Sequence, residues 1–255
     1  MTEPVYDVGG ITLYFGECEA IMPTLLCTVD AVMADLPYAT TQNDWDRPID
    51  PKILWHCYRS LCGERTPVLL FGSGMFTAKM MLSNEADWRY NLVWNKDATA
   101  GPLNAKRQPL RCHEDILVFY RRQPTYSPQM VFTGRSWHSR GTTVERTVNH
   151  YSTFNNTPVV DQAGHQYPRS ILTFKRPKLP KGVGHPTQKP VALMEWMIRT
   201  YTQPGDLILD NVAGSATTLV AARNCGRRAI GIEKHEPYID KAIARLESGA
   251  EGDSW

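Results

Sequence analysis

Asp35-Leu36-Pro37-Tyr38 brings a carboxylate, a rigid imide and an aromatic ring together in four consecutive residues. The apolar run Ala31-Val32-Met33-Ala34 just before them reads as a short buried strand. The four residues therefore stand where a strand gives way to a loop, the edge at which open parallel sheets bind ligands. Their types suit the activation of an amine on an aromatic base. Such an amine is a poor nucleophile because its lone pair is delocalised into the ring. Asp35, together with a main-chain carbonyl at Leu36 or Pro37, can accept both N–H bonds and favour a tetrahedral nitrogen with a free lone pair. Pro37 stiffens that geometry through its fixed φ. Tyr38 can stack on the base, a contact worth ~1–3 kcal/mol. Asp, Pro and Tyr are also common in plain turns, so the tetrapeptide alone leaves site and turn equally open.

A second constellation lies far downstream. Leu207-Ile208-Leu209 reads as a buried strand ending at Asp210, and Asn211-Val212-Ala213-Gly214-Ser215-Ala216-Thr217-Thr218 leads from it into a helix. The strand Arg228–Ile232 follows and ends at Glu233. Strand, small-residue turn, helix, strand and closing acid make one mononucleotide-binding unit, in which the acid suits a ribose diol. Glu233 follows Asp210 by 23 residues, close to the roughly 20-residue spacing of ribose-binding acids. The GxGxxG of nicotinamide enzymes is missing, which counts against a pyrophosphate cofactor without excluding one.

Alternating elements must carry both constellations. Strands are expected at 11–16, 31–34, 66–71, 90–94, 115–120, 207–209 and 228–232. Helices are expected at 17–26, 51–62, 75–82, 191–201, 219–225 and 236–246. This alternation predicts an α/β fold with a doubly wound, mostly parallel, Rossmann-like sheet. It fails between Arg121 and Gly184, a loop-rich stretch that offers only short candidates such as Arg169–Phe174 and is too long for a plain connection. Its aromatics argue against disorder, and it reads as an inserted target-recognition region. The expected organisation is a catalytic half over 1–120, the insertion over 121–184, a cofactor-binding half over 185–248 and a tail over 249–255.

A chain of 255 residues, 42% hydrophobic, supports one large domain with a small insertion. The N-terminus lacks a basic and an apolar region of the secretory kind, and no apolar run approaches a membrane span. Six scattered Cys show no metal spacing, so reduced thiols in a cytoplasmic protein without a metal site or membrane are expected. The net charge of +2 is uneven: Lys96–Pro190 carries 15 Lys/Arg against 5 Asp/Glu, and the rest 13 against 21. A basic middle in an acidic protein points to a polyanion partner.

Three motifs bear a family resemblance. Asp35-Leu36-Pro37-Tyr38 resembles the (Asp/Asn/Ser)-Pro-Pro-Tyr motif of the DNA amino-methyltransferases, departing at Leu36. Asp210–Thr218 resembles their S-adenosylmethionine motif, Asp-Pro-Phe-x-Gly-Ser-Gly-Thr-Thr, with Val212 for Phe and Ala216 for Gly. His185-Pro186-Thr187-Gln188-Lys189-Pro190 matches the element preceding that motif in the β class, which carries the catalytic motif first. The stretch from Trp94 to Tyr120, with His113-Glu114-Asp115-Ile116, resembles the phage-related members.

The resemblance implies roles. Asp35, Leu36, Pro37 and Tyr38 would be catalytic. Asp210, Val212, Gly214, Ser215 and Thr217 would line the methionine end of S-adenosyl-L-methionine, and Glu233 would bind its ribose. Glu17-Cys18 would flank its adenine, while Thr187, Gln188 and Lys189 would close the pocket. Arg121, Arg122, Arg135, Trp137, His138, Arg140 and Arg146 are the candidate contacts to double-stranded DNA. A homodimer is expected from the class. The implied reaction is methyl transfer to N6 of adenine after base flipping. N4-cytosine methylation and a silent DNA-binding relative remain the alternatives. Cytosine C5 chemistry is disfavoured, because the Pro-Cys pair it needs is missing.

Overall fold

The computed structural model describes residues 3–38, 47–100, 104–133, 164–177 and 188–249. In chain order the elements are β1 (Tyr6–Val8), β2 (Ile11–Phe15), α1 (Cys18–Ile21), β3 (Ala31–Ala34), α2 (Pro51–Leu61), β4 (Val68–Gly72), α3 (Met75–Ser83), β5 (Trp88–Ala100), β6 (Arg111–Phe119), β7 (Val131–Phe132), β8 (His165–Gln166), β9 (Ile171–Thr173), α4 (Val191–Tyr201), β10 (Leu207–Asp210), α5 (Thr217–Asn224), β11 (Arg228–Glu233) and α6 (Glu236–Glu247). The chain forms two compact units, Met1–Ser127 with Ser170–Trp255, and Pro128–Arg169. In the described part of the smaller unit, β7 and β8 pair as an antiparallel ribbon.

The larger unit is built on a nine-stranded sheet in the order β1-β2-β11-β10-β3-β4-β6-β5-β9. Strands β2, β11, β10, β3 and β4 run parallel, as an α/β alternation dictates. The alternation of side chains divides the core into two layers. Ala31, Met33, Leu69, Phe71 and Ile208 pack on the face covered by α4, α5 and α6. Val32, Ala34, Val68, Leu70, Leu207 and Leu209 pack on the face covered by α1, α2 and α3. Every residue of β3 and β10 is buried, which explains why both read as unbroken apolar runs.

Several elements differ from the expectation. The helix expected over 17–26 is a single turn, α1, followed by a 3₁₀ turn at Met22–Thr24, because Pro23 cannot donate to a continuing helix. Strand β1 was not expected; Gly9 and Gly10, at φ 63° and 81°, supply the left-handed pair that a tight hairpin into β2 requires. Strands β5 and β6 are longer than their apolar stretches and are antiparallel to each other, and β6 is antiparallel to β4. Trp94, opposite Glu114, is still buried in the core, and beyond it the extension is held by the backbone ladder, with Asn95 opposite His113. The short strand within Arg169–Phe174 joins this large sheet at its edge, as β9 parallel to β5. No helix among the described residues is long and apolar enough to cross a membrane.

Candidate active site

Strands β3 and β10 lie side by side, with Ala31 opposite Ile208 and Val32 opposite Leu209. Because they are parallel, the Asp35 loop and the Asp210 turn leave the sheet at the same edge. Strand β11, next to β10, ends there at Glu233, and β2 ends there at Gly16 and Glu17. One cleft, with a cavity volume of about 170 Å³, is lined by Asp35, Pro37 and Tyr38 from one loop and by Asp210, Val212, Gly214, Ser215, Thr217 and Glu233 from the other half. Glu17, Cys18, Gln188 and Lys189 complete the same wall.

The Asp35–Tyr38 loop is fixed at both ends. Leu36 is buried among the residues of the α1–α3 face, so the residue that replaces a motif proline anchors the loop in the core. Burying a leucine side chain is worth about 1.5–3 kcal/mol. Tyr38 packs its ring on Phe76, centroids 4.7 Å apart, and donates its hydroxyl to Asp35 Oδ1 at 2.9 Å. Lys189 Nζ donates to the other oxygen, Oδ2, at 2.5 Å. The same ammonium lies 3.2 Å from Glu114 Oε2 and over the ring of Phe71 at 4.8 Å. Glu114 Oε1 is paired with Lys96. Two carboxylates and two ammonium groups thus share one recess.

Their titration follows from that arrangement. Burial, reinforced by the neighbouring Glu114 charge, raises the Asp35 carboxyl against the pull of Lys189 and Tyr38. Burial also opposes the charge of Glu114, yet Lys189 and Lys96 outweigh it and hold that carboxyl below its ordinary value. Lys189 is itself disfavoured by burial, but Asp35 and Glu114 together raise it above an ordinary lysine.

On the other side, Asp210 accepts the hydroxyl of Thr218 and, at 3.2 Å, the Val212 N–H. Burial outweighs both and pushes its carboxyl up to about 7. Asn211 accepts the Tyr58 hydroxyl at 2.6 Å and donates to Cys18 Sγ at 3.4 Å, which ties the turn to α2 and α1. Burial pushes the Cys18 thiol up to about 12, so it stays neutral. Glu233 accepts the N–H groups of Gly214 and His235 at 2.8 and 2.7 Å, and burial still raises it. Ser215 donates to Gln188 Oε1 at 3.0 Å, and among the described residues the buried Gln188 Nε2 has no partner. Thr217 accepts from Arg245 at 2.9 Å. Ala216 holds a left-handed φ of 61° while fully buried, and Val212 packs its side chain on the core.

The expected site residues that are described, other than the arginines, converge on this cleft. Thr187, Arg135, Trp137, His138, Arg140 and Arg146 lie outside the described residues. Arg121 and Arg122 are not brought to it. They follow β6, whose antiparallel course places Phe119 beside Val68, at the opposite edge of the sheet from Gly72. There Arg121 donates to the Cys62 carbonyl and Arg122 pairs with Glu64 at 3.0 Å. The exposed Lys106 and Arg107, in the β5–β6 connection, and Arg111, at the start of β6, lie at the same edge as Asp35, and Arg111 reaches Ser73 at 2.5 Å. Glu114 and Lys96 were missed as site residues. Their one signal was an acid and a base at the polar ends of two apolar runs, without an indication that the strands pair.

A family model described as DNA methylase matches residues 29–244. The chain is 25% identical over 236 residues to the DNA adenine methyltransferase YhdJ of Escherichia coli K12, covering 86% of this chain and 76% of that enzyme. It is 49% identical over 72 residues to the type II methyltransferase M2.DpnII of Streptococcus pneumoniae, covering 28% of this chain and 27% of that enzyme. Its fold is shared with the M1.HpyAVI–SAM complex, with a TM-score of 0.61 at 22% identity over 92% of this chain and 98% of that one. The cytosine-N4-specific PvuII DNA methyltransferase has a TM-score of 0.68 at 14% identity, over 96% and 89%.

Proposed function

The chain belongs to the N6/N4 DNA methylase family, and on that premise we propose that it moves a methyl group from S-adenosylmethionine to N6 of adenine in double-stranded DNA. One observation carries the proposal: the neighbouring β3 and β10 bring the Asp35 loop and a small-residue turn into one cleft. The target base would be flipped from the duplex to reach it. The preference for adenine rests on Asp35, where N4-cytosine enzymes of the resembling class usually carry Ser, and on the likeness to an adenine methyltransferase along most of the chain.

The residues present fit the cofactor. Glu233 closes its strand with a carboxylate suited to a ribose diol, and the unpartnered Gln188 Nε2 is a buried donor suited to a carboxylate. Asp210, Ser215 and Cys18 line the same wall. When bound, S-adenosylmethionine supplies a methyl group made electrophilic by its sulfonium.

Asp35 accepts one N–H of the amine and a loop carbonyl accepts the other, leaving the nitrogen lone pair directed at the methyl carbon. Transfer of the methyl group to the amine would leave a surplus proton on its nitrogen. Asp35, its carboxyl raised by burial, is suited to receive that proton. Tyr38, backed by Phe76, supplies a face for the base. Lys106, Arg107 and Arg111 supply positive charge for the backbone on the same side of the sheet.

Mass spectrometry of nucleosides from DNA of a methylation-free host expressing the chain tests this reading. N6-methyladenine is the expected product. N4-methylcytosine alone would overturn the choice of base, and neither product would overturn the activity.

A further inference from the structure

We propose that Lys189 is a two-position cation, held by Asp35 before the target base arrives and handed to Glu114 when the amine binds. Glu114 is then a positioning residue that frees the acceptor. This inference rests on the amine-methylation reading above.

Both oxygens of Asp35 are taken, Oδ1 by the Tyr38 hydroxyl at 2.9 Å and Oδ2 by Lys189 at 2.5 Å. Each oxygen can accept two hydrogen bonds, so an amine that donates to Asp35 must share an oxygen with one of these donors or take its place. The Tyr38 ring is packed on Phe76, which keeps its hydroxyl on Oδ1 and leaves Oδ2 as the oxygen to be opened for the amine. The Lys189 ammonium is nearly sealed from solvent and cannot be left bare, since an unpaired buried charge is strongly disfavoured. A second acceptor is already in place. Glu114 Oε2 is 3.2 Å from Nζ and is buried without an aligned hydrogen bond among the described residues. Lys96 pins the other oxygen of Glu114, so that carboxylate stays put.

The surroundings permit the exchange. The rings of Phe71 and Trp94 lie 4.8 and 5.8 Å from Nζ and offer π faces along its course. The recess holds two negative and two positive groups whichever carboxylate Lys189 favours, so the move changes no net charge. Glu114 never touches the base and acts only through Lys189.

Single-turnover methyl transfer on a duplex carrying the chain's own methylated site tests the proposal, with S-adenosylmethionine affinity measured by calorimetry. Glu114→Gln should slow transfer about tenfold or more while cofactor affinity stays within about twofold. Glu114→Asp, which keeps the charge, should recover part of the rate. In a Lys189→Met background, adding Glu114→Gln should change the rate less than about twofold, because the two residues act as one device. Transfer at the wild-type rate in Glu114→Gln, or rate deficits that multiply in the double variant, would overturn the proposal. Should Glu114→Gln fail to fold, Glu114→Asp must be slower than wild type and lose that deficit beside Lys189→Met, or the proposal falls. A wild-type protein that methylates no DNA overturns the functional reading with it, whereas a methylating wild type with an indifferent Glu114 overturns this inference alone.

Discussion

Lys189 lies 154 residues beyond Asp35 in the chain, and its ammonium is 2.5 Å from the Asp35 carboxylate. Its neighbour Gln188 accepts the Ser215 hydroxyl in the turn that follows β10. Two consecutive residues therefore touch the Asp35 loop on one side and the small-residue turn on the other. They reach this position because Pro190 opens α4, whose apolar residues fix it against the sheet.

Asp35→Ala should cut methyl transfer by about 10²–10³-fold or more, the usual cost of losing a placed polar group in a reacting site. Calorimetric affinity for S-adenosylmethionine should hold, because Asp35 lies in the loop that meets the base. Loss of both together would assign Asp35 a structural role.

Stability should fall as pH rises from about 4 to about 7. The Asp210 carboxyl has its folded pKa raised to about 7 against an ordinary 3.8, so within that window the folded chain keeps a proton that the unfolded chain has lost. Below the window both states are protonated and the difference vanishes. Each pH unit inside it costs at most about 1.4 kcal/mol. Asp35 and Glu233, also raised, act in the same direction. Asp210→Asn should flatten the decline, seen as a melting temperature that gains on wild type between pH 5 and pH 8. Parallel curves would refute the assignment.

Ala216→Gly should stabilise the protein. A left-handed alanine costs about 1–2 kcal/mol, and the greater freedom of an unfolded glycine returns about 0.4–1 of it. For a chain of this length the net gain corresponds to a melting temperature higher by about 1–3 °C. An unchanged or lower melting point would show that the methyl group earns its place in the buried turn.

Replacing Lys106, Arg107 and Arg111 by Gln should weaken DNA binding and reduce its salt dependence, by about 0.9 in the log–log slope for each phosphate no longer neutralised. Arg121→Gln with Arg122→Gln should change neither, since both residues sit at the other edge of the sheet. Fluorescence anisotropy at several salt concentrations separates the two sets.

The strands that carry Asp35 and Asp210 were legible because central parallel strands are buried on both faces and read as unbroken apolar runs. The same property hid the direction of β6. Ile116–Phe119 is apolar whichever way it runs, and only the hairpin with β5 makes it antiparallel. That reversal separates Arg121 and Arg122 from the cleft, delivers Glu114 to it and brings Arg111 to the same edge of the sheet. The Lys96–Glu114 pair was illegible for a related reason. Cross-strand register depends on the turn and on an irregularity between Asn95 and Ala100, neither of which local periodicity reports. The hairpin before β2 went unseen because β1 spans three residues, none of them buried.

Two rungs of backbone pairing, Ala31 with Ile208 and Val32 with Leu209, set the strand before Asp35 beside the strand that ends at Asp210. Translation order leaves no trace in that seam. A chain rejoined so that the last strands come first would still set the Asp35 loop beside the Asp210 turn, provided those rungs close.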